Sequence, residues 1–301
     1  MKSSRQIIIA LLVMLLATVP LTAQSADTVP GLASNIAITF EDDFEAGSIA
    51  ASWWVWDHFP QVVEGRMVMP GWNSWNDAIV RPEIGDSEGV LQLFRYEPGS
   101  MEFFLDFAGY EEPDYRNIRL GTAGNHHWNV YSSSGVKGVQ TRTYGSVELT
   151  PGAWYYLLIL LGEEGEFYFQ VWEPDNADVL LLNLQIAPAG DGWANRHWWF
   201  GNKVYDGTLE VERFAEVSVT GTYHLPCTVR GIGSVNLRSG PGTEFDRTGR
   251  LDSDVEMRVL AQTVDLESSI WWQLPGDQWV RADVARQAGD CADLPVVAGD
   301  N

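Results

Sequence analysis

The segment from Trp154 to Trp172 constrains the fold of this chain more than any other. Seven apolar residues, Tyr155–Leu161, are followed by a turn at Gly162–Gly165 and then by Glu166–Trp172, where apolar and polar residues alternate. A period of two is typical of β-strands, and a glycine-bounded turn between two such runs predicts a hairpin. Because its first arm is apolar on both sides, we expect that strand to be buried on both faces of a layered fold.

The same period of two continues over the region from about Ser34 to Val219, and no segment has the pattern of an amphipathic helix. Ile36, Ile38 and Phe40 alternate with polar or small residues in a first strand, and Thr208–Val219 forms a last one. So many strands without helices predict an all-β fold built as a two-sheet sandwich. The tryptophans assigned to its core are Trp54, Trp154 and Trp172.

The region after Cys227 contains shorter strands separated by turns. Leu237 lies before a Gly-Pro-Gly turn, and Pro275–Asp277 predicts a second turn between two tryptophan-containing strands. Short strands with regular turns predict a small β-barrel. This region resembles the bacterial SH3-like domain, an extracytoplasmic module, and the resemblance implies binding of peptidoglycan or surface peptides. Its signature is carried by Asn236, Leu237, Arg238, Ser239, Gly240, Pro241, Gly242, Trp272 and Trp279, while Gln278 replaces the glycine that the family usually has there.

The larger region also resembles a known superfamily. Phe40–Gly47 followed by tryptophans, Leu149–Tyr155 at the start of a long strand, and a closing strand after Phe200 are similar to the concanavalin A-like lectins and glucanases, which include laminin-G-like domains. The resemblance implies a jelly-roll sandwich for residues 27–221, followed by the SH3-like region at 222–291. Residues 292–301 are predicted to be a disordered tail.

The first 26 residues predict export. Lys2 and Arg5 precede an apolar run, Ile7–Val19, and small residues suited to cleavage follow at Ala23–Ser25. This is the pattern of a signal peptide, and the run is short for a membrane span. In an oxidising compartment the two cysteines, Cys227 and Cys291, are expected to form a disulfide. We therefore expect a secreted or cell-surface protein.

The charge balance narrows the partners. With 41 acidic and 19 basic residues the formal net charge is −22, which argues against binding to nucleic acid or to anionic membranes. Neutral sugars, basic peptides and cations remain compatible with it. Neither a cofactor nor a metal motif is recognisable in the sequence, and we expect none.

One acidic motif raises the possibility of catalysis. Glu41, Asp43 and Glu45 are spaced two apart, so on a strand they would share one face. Retaining glycosidases of the glucanase type use such a triplet, in which neighbouring carboxylates act as nucleophile and acid/base. The motif lies at the first strand of the domain, where an edge is expected rather than a cleft. Glycoside hydrolysis by this triplet is therefore the alternative and not the main prediction.

Aromatic residues supply the main functional prediction. Indole rings stack on the apolar faces of sugars, and neighbouring polar groups bind the hydroxyls. The residues predicted to contact ligand by this criterion are Trp72, Trp75, His127, Trp128, Trp198 and Trp199. We predict a non-catalytic protein that binds carbohydrate or a cell-wall polymer such as peptidoglycan. A protein–protein adhesion module without a sugar site is a further alternative.

Overall fold

The computed structural model describes residues 29–49, 53–55, 60–71, 76–80, 88–98, 102–111, 114–123, 127–134, 142–187 and 197–298. The predicted signal peptide lies outside these residues. As predicted, the described chain is all-β, with strands numbered along the sequence and two short 3-10 helices at Pro174–Asn176 and Ala282–Val284. Among the described residues, no helix is long and apolar enough to cross a membrane.

The first half of the sandwich is an eight-stranded antiparallel sheet. Its order is β13-β12-β11-β6-β15-β4-β3, and β1 pairs with the second half of the long strand β15. The strands are β1 (Ile36–Asp42), β3 (Gln61–Val63), β4 (Arg66–Pro70), β6 (Gly89–Pro98), β11 (Tyr155–Leu161), β12 (Phe167–Trp172), β13 (Leu182–Ile186) and β15 (Gly207–Val219).

The second half is a seven-stranded antiparallel sheet with the order β10-β9-β8-β7-β14-β5-β2. Neighbours in sequence, β7 to β10, follow one another as a meander, and β14 joins β7 to the short strands β5 and β2. The strands are β2 (Trp53–Val55), β5 (Asn76–Val80), β7 (Glu102–Glu111), β8 (Asp114–Ala123), β9 (His127–Ser134), β10 (Arg142–Glu148) and β14 (His197–Val204).

The main core fills the space between the two sheets and is rich in aromatic side chains. Tyr96 and Trp128 meet edge to face with ring centroids 5.0 Å apart, and Phe167 meets Trp198 in the same way at 5.1 Å. Such pairs each contribute about 0.5–1.5 kcal/mol beyond the apolar area they bury. The two-sheet sandwich predicted from the period of two is therefore the observed architecture.

A second core covers the outer face of the eight-stranded sheet. Strand β11 contributes Ile159 to the main core and Leu158 to this second one, so it is buried on both faces as predicted. Trp172 is fully buried here, as expected; its indole stacks on Tyr156 at 5.3 Å and donates a hydrogen bond to the carbonyl of Pro30 at 2.9 Å. The residues that cover this face come from both ends of the sandwich sequence: Val29, Leu32, Ala33, Tyr223 and Leu225.

Two of the tryptophans assigned to the core are placed differently. Trp54 is 53% exposed, so its assignment is wrong. Trp54 follows the buried Trp53 on strand β2, and successive side chains on a strand point to opposite faces. Trp154 is half-buried and packs against the rim of the second core.

The C-terminal unit, residues 226–298, has a core of its own. A three-stranded sheet (β19-β16-β23) and a five-stranded sheet (β18-β17-β22-β21-β20) enclose Leu237, Trp272 and Val280, and Trp279 is also buried. The predicted disulfide joins Cys227 to Cys291. The strands are β16 (Thr228–Gly231), β17 (Val235–Arg238), β18 (Arg247–Leu251), β19 (Met257–Arg258), β20 (Ala261–Val264), β21 (Ile270–Leu274), β22 (Gln278–Arg281) and β23 (Ala285–Ala288).

The two units are docked by hydrogen bonds from the backbone and from one arginine side chain. Val179 forms an antiparallel bridge with Met257, and the amide of Leu180 donates to the carbonyl of Glu256 at 3.0 Å. The Nε of Arg258 donates to the carbonyl of Ala177, also at 3.0 Å. Residues 177–180 thus extend the three-stranded sheet, so the sandwich and the C-terminal unit share an ordered interface.

The segment that joins the two units and the predicted tail are both packed. In the joining segment, Gly221–Pro226, Tyr223 is buried and its hydroxyl donates to Oε1 of Gln170 at 3.0 Å. In the expected disordered tail, the amide of Val297 donates to the carbonyl of Gln262 at 2.9 Å. The prediction of disorder is therefore wrong for residues 292–298, because this part of the tail bonds to the open edge of β20.

Candidate functional site

The carboxylates of Glu41, Asp43 and Glu45 do not share a strand face. Strand β1 ends at Asp42, so only Glu41 of the three lies on it. Phe44 adopts a φ of 57°, which redirects the chain before Glu45. The expectation of three carboxylates pointing one way is wrong, because it required the strand to continue through all of them.

The contacts of this acidic segment are those of an ion pair and a turn. Glu41 Oε1 lies 2.5 Å from Nε of Arg213 on the neighbouring strand β15. Asp42 accepts a hydrogen bond from the amide of Phe44 at 3.0 Å and another from the indole Nε1 of Trp53 at 2.8 Å. Among the described strands β1 pairs with β15 alone, which places the segment at a sheet edge.

The six predicted ligand contacts separate into three groups. Trp72 and Trp75 lie outside the described residues. Trp128 is fully buried and Trp198 is 6% exposed, so both are core residues and cannot serve as ligand platforms. His127 is exposed, with Nδ1 3.1 Å from Oε1 of Glu148, and Trp199 is half-buried on the opposite side of β14 from Trp198.

Several aromatic residues that are not buried in the core lie on the outer face of the seven-stranded sheet. Trp53-Trp54 and Trp198-Trp199 are adjacent pairs on strands, so one member of each pair points inward and the other outward. Pairing between strands aligns one backbone position from each of six neighbouring strands. We call this set the outer row; it consists of Trp54, Ile79, Gly201, Asp106, Arg119 and Tyr131.

The outer row begins and ends with an aromatic residue, Trp54 and Tyr131, and Arg119 lies next to Tyr131. The guanidinium carbon of Arg119 lies 5.5 Å from the ring centroid of Tyr131, which is a cation–π contact. Trp199 stands two residues from Gly201 on the same strand and the same face. Since neighbouring strands are about 4.8 Å apart, the five spacings from Tyr131 to Trp54 span about 24 Å.

A glycine, Gly201, lies near the middle of the outer row and is buried. Gly201 separates the position of Asp106 from that of Ile79, and it has no side chain to project from the face. A glycine inside a strand often marks the close approach of a ligand or another backbone. Alternation along β2 and along β14 could have identified Trp54 and Trp199 as the outward member of each tryptophan pair. Only the pairing between strands shows that the two lie on one face of the same sheet.

The signature turn of the C-terminal unit is held by its arginine. Nη1 of Arg238 donates to the carbonyls of Thr243 and Phe245, each at 2.7 Å, which clips the turn closed. A Cβ added to Gly240 would lie 2.3 Å from the ring of Phe245, so no larger residue fits there. Arg238 and Gly240 therefore have a structural function in this turn.

A shallow pocket adjoins that turn. It measures about 300 Å³ and is lined by Asn236, Arg238, Trp271 and Arg281, among others. The indole of Trp271 is fixed by a 2.7 Å hydrogen bond from Nε1 to Oδ2 of Asp265. Arg281 is held by both oxygens of Asp283 at 2.6 and 2.9 Å. Two arginines beside an indole distinguish this surface from the acidic remainder of the chain.

Metal binding finds no support in the described part of the chain, where no three His, Cys, Asp or Glu side chains are arranged to hold an ion.

Comparison with known proteins gives structural similarity at low identity. No protein-family model and no curated protein matches the chain. The CBM2 module of the evolved Dit of Lactobacillus casei phage J-1 is 9% identical, over 63% of this chain and 98% of that module, with a TM-score of 0.45. The catalytic domain of a Thermotoga petrophila endo-1,3-beta-glucanase is 12% identical, over 62% and 99%, with a TM-score of 0.47.

A Pyrococcus furiosus endo-beta-1,3-glucanase is 10% identical, over 62% of this chain and 95% of its own, with a TM-score of 0.46. At such identities and TM-scores these similarities indicate neither a ligand nor a reaction for this chain.

Proposed function

We propose that this protein is an extracytoplasmic, non-catalytic binding protein for carbohydrate or a cell-wall polymer. The sandwich binds the polymer across the outer row, and the C-terminal unit acts as an SH3-like module for peptidoglycan or surface peptides. The observation that carries the proposal is the outer row itself, in which Trp54, Tyr131 and the adjacent Trp199 share one sheet face.

The chemistry of this face suits a chain of sugars. Indole and phenol rings offer flat apolar surfaces to pyranose rings, and Arg119 offers hydrogen-bond donors between them. A span of about 24 Å accommodates an extended polymer rather than a single small molecule. The half-buried state of Trp199 and Tyr131 limits the side-chain entropy that binding would cost.

The position of Glu41 favours binding over hydrolysis. A glycosidase needs two carboxylates facing each other across the scissile bond, about 5–9.5 Å apart depending on mechanism. Glu41 is instead committed to Arg213 at a sheet edge. The disulfide between Cys227 and Cys291 supports an oxidising, extracytoplasmic location, since such bonds are rare in a reducing cytosol.

Binding measurements on the outer row test this function. We expect the wild-type protein to bind at least one polysaccharide in a panel of glucans, chitin and peptidoglycan. Trp199→Ala and Trp54→Ala should each weaken that binding about tenfold, which corresponds to about 1.4 kcal/mol of lost stacking. Isothermal titration calorimetry gives the affinities, and circular dichroism confirms that the variants fold.

Leu266→Ala is the matched control, because Leu266 is 90% exposed on the C-terminal unit and lies far from the outer row in sequence. It should leave the affinity unchanged. Release of reducing sugar that disappears in Glu41→Gln would replace the proposal with the hydrolase alternative. Absence of binding to every glycan, together with capture of a surface protein, would favour the adhesion module.

A further inference from the structure

A second pocket lies on the opposite side of the sandwich from the outer row. It occupies about 460 Å³ on the outer face of the eight-stranded sheet, within the size range of small-molecule sites. Leu93 and Trp154 supply its apolar surface, and Pro174 closes one side. Its polar groups are three carboxylates, those of Glu173, Asp175 and Glu212.

Trp154 is held in place as a platform. The guanidinium carbon of Arg95 lies 4.9 Å from the indole centroid, so the ring is fixed by a cation–π contact. Arg95 is in turn fixed by Glu210, whose two carboxylate oxygens accept from Nη2 at 2.9 and 2.8 Å. A ring oriented in this way loses little freedom when a ligand stacks on it.

Glu212 reaches the pocket because strand β15 contains a bulge. The pairing of β15 with β6 shifts register between Val211 and Arg213, which inserts one extra residue. Val211 and Phe214 both pack into the main core, so the two residues between them lie away from it. The bulge therefore adds a carboxylate to the outer face.

The cations near the pocket are already paired. Arg213 is bound to Glu41, and Arg95 is bound to Glu210. Within the described chain, no hydrogen bond or ion pair engages the carboxylates of Glu173, Asp175 and Glu212. The pocket thus combines one fixed indole with three uncompensated negative charges.

We propose that this pocket binds an amino sugar of the glucosamine type that carries a free ammonium group. The apolar face of the pyranose ring stacks on Trp154, while the ammonium and the hydroxyls donate to the three carboxylates. Several separated acceptors match a ring with several donors better than the single charge of a lysine side chain. The same carboxylates repel uronic acids and sulfated sugars.

This inference refines the proposed function, since it also assumes a saccharide ligand, but it assigns a different face and a different chemistry. Calorimetric titration of the full chain with glucosamine tetramer, N-acetylglucosamine tetramer and galacturonate tetramer tests it. We expect the glucosamine tetramer to bind at least about tenfold more tightly than the acetylated one, because acetylation removes a charge-assisted hydrogen bond. The galacturonate tetramer should not bind.

Glu212→Gln should weaken binding of the glucosamine tetramer about tenfold or more, since the substitution keeps the shape and removes one charge. Glu163→Gln is the matched control: it removes the same charge from the exposed turn between β11 and β12. An equal loss of affinity in both variants would mean that the cationic oligomer is attracted to the acidic surface as a whole. That result would overturn the assignment of the amino sugar to this pocket.

Trp199→Ala separates this inference from the proposed function. Binding of the glucosamine tetramer that survives Trp199→Ala and is lost in Glu212→Gln supports the pocket. If binding is lost in Trp199→Ala but kept in Glu212→Gln, the proposed function at the outer row stands and the assignment of the amino sugar to this pocket is wrong. A thermal midpoint of Glu212→Gln equal to that of the wild type excludes unfolding as the cause of any loss, and no binding of the glucosamine tetramer to the wild type overturns the pocket directly.

Discussion

At the scale of single residues, the position of a tryptophan along its strand decides whether it lies in the core or on the outer face of the sheet. Trp53 and Trp198 are buried, and the neighbours Trp54 and Trp199 point to the other face of the same sheet. Trp54 was expected in the core, although it is 53% exposed. Burial of an indole lowers the free energy of the folded protein, because apolar surface leaves water. Whether a given indole can be buried depends on which face of the sheet its Cα–Cβ bond points to.

Asp265 gives a residue-level prediction about acid stability. Hydrogen bonds from the indole of Trp271 and the amide of Ser269 lower the pKa of Asp265 from its ordinary value. A carboxylate with a lowered folded-state pKa stabilises the protein above about pH 4 and loses this effect as the pH falls through the folded pKa. Asp265→Asn should therefore reduce the melting temperature at about pH 7 and have little effect at about pH 2.

Thermal melts of both proteins at the two pH values measure this difference. The NMR signal of the Trp271 indole proton should shift over the same acidic range in the wild type, which reports the bond directly. A penalty for Asp265→Asn that is equally large at both pH values would contradict the assignment.

At the scale of elements, the strands of the eight-stranded sheet serve two cores at once. Strand β11 has only apolar residues, so it can bury both faces, and the N-terminal segment together with Tyr223 covers the side away from the sandwich. The bulge in β15 changes the same outer face of the sheet. It inserts one extra residue, and so adds the side chain of Glu212, which a regular strand would not place there.

Two alanine substitutions on β11 test this double burial. Leu158→Ala and Ile159→Ala remove side chains that are at most 1% exposed and face opposite cores. Each should lower the free energy of unfolding by about 2–5 kcal/mol, the usual cost of deleting a buried aliphatic side chain. Leu266→Ala, at a 90% exposed position, should cost less than about 0.5 kcal/mol.

Urea denaturation gives these three values. If Leu158→Ala proved as mild as Leu266→Ala, the outer face of the sheet could not be a packed core in solution.

At the scale of the whole molecule, the sandwich and the C-terminal unit form one docked assembly. Residues 177–180 pair with strand β19, and Tyr223 packs into the second core. Burial raises the pKa of the Tyr223 hydroxyl and lowers the pKa of the neighbouring Arg258 guanidinium. Docking fixes the direction in which the outer row and the Arg238 turn face relative to each other.

Arg258→Ala tests this coupling. The substitution removes the hydrogen bond to the carbonyl of Ala177 and should destabilise the C-terminal unit by about 1.5–3 kcal/mol, the range for hydrogen bonds that involve a charged group. Calorimetry should show the transition of the C-terminal unit at a lower temperature, with that of the sandwich little changed. Arg250→Ala, whose contact is a 3.4 Å hydrogen bond to an exposed serine, is the control and should have little effect.

Much of the architecture could be predicted from local patterns. The hairpin at Tyr155–Trp172, the alternation in Ile36–Asp42 and the disulfide between Cys227 and Cys291 were all expected and are observed. The candidate site was less predictable. Trp128 and Trp198 were chosen for their polar neighbours, but a strand alternates, so a polar neighbour in sequence is located on the other face.

The sequence by itself determined the all-β class, the strand that is buried twice and the covalent closure of the C-terminal unit, because each depends on residue type and short spacing. Only the tertiary structure decided which carboxylates are neutralised and which aromatic rings share a surface. Glu41 meets Arg213, and Trp54 aligns with Tyr131, through pairing between strands far apart in the chain. Register across a sheet is a long-range property, and no local pattern contains it.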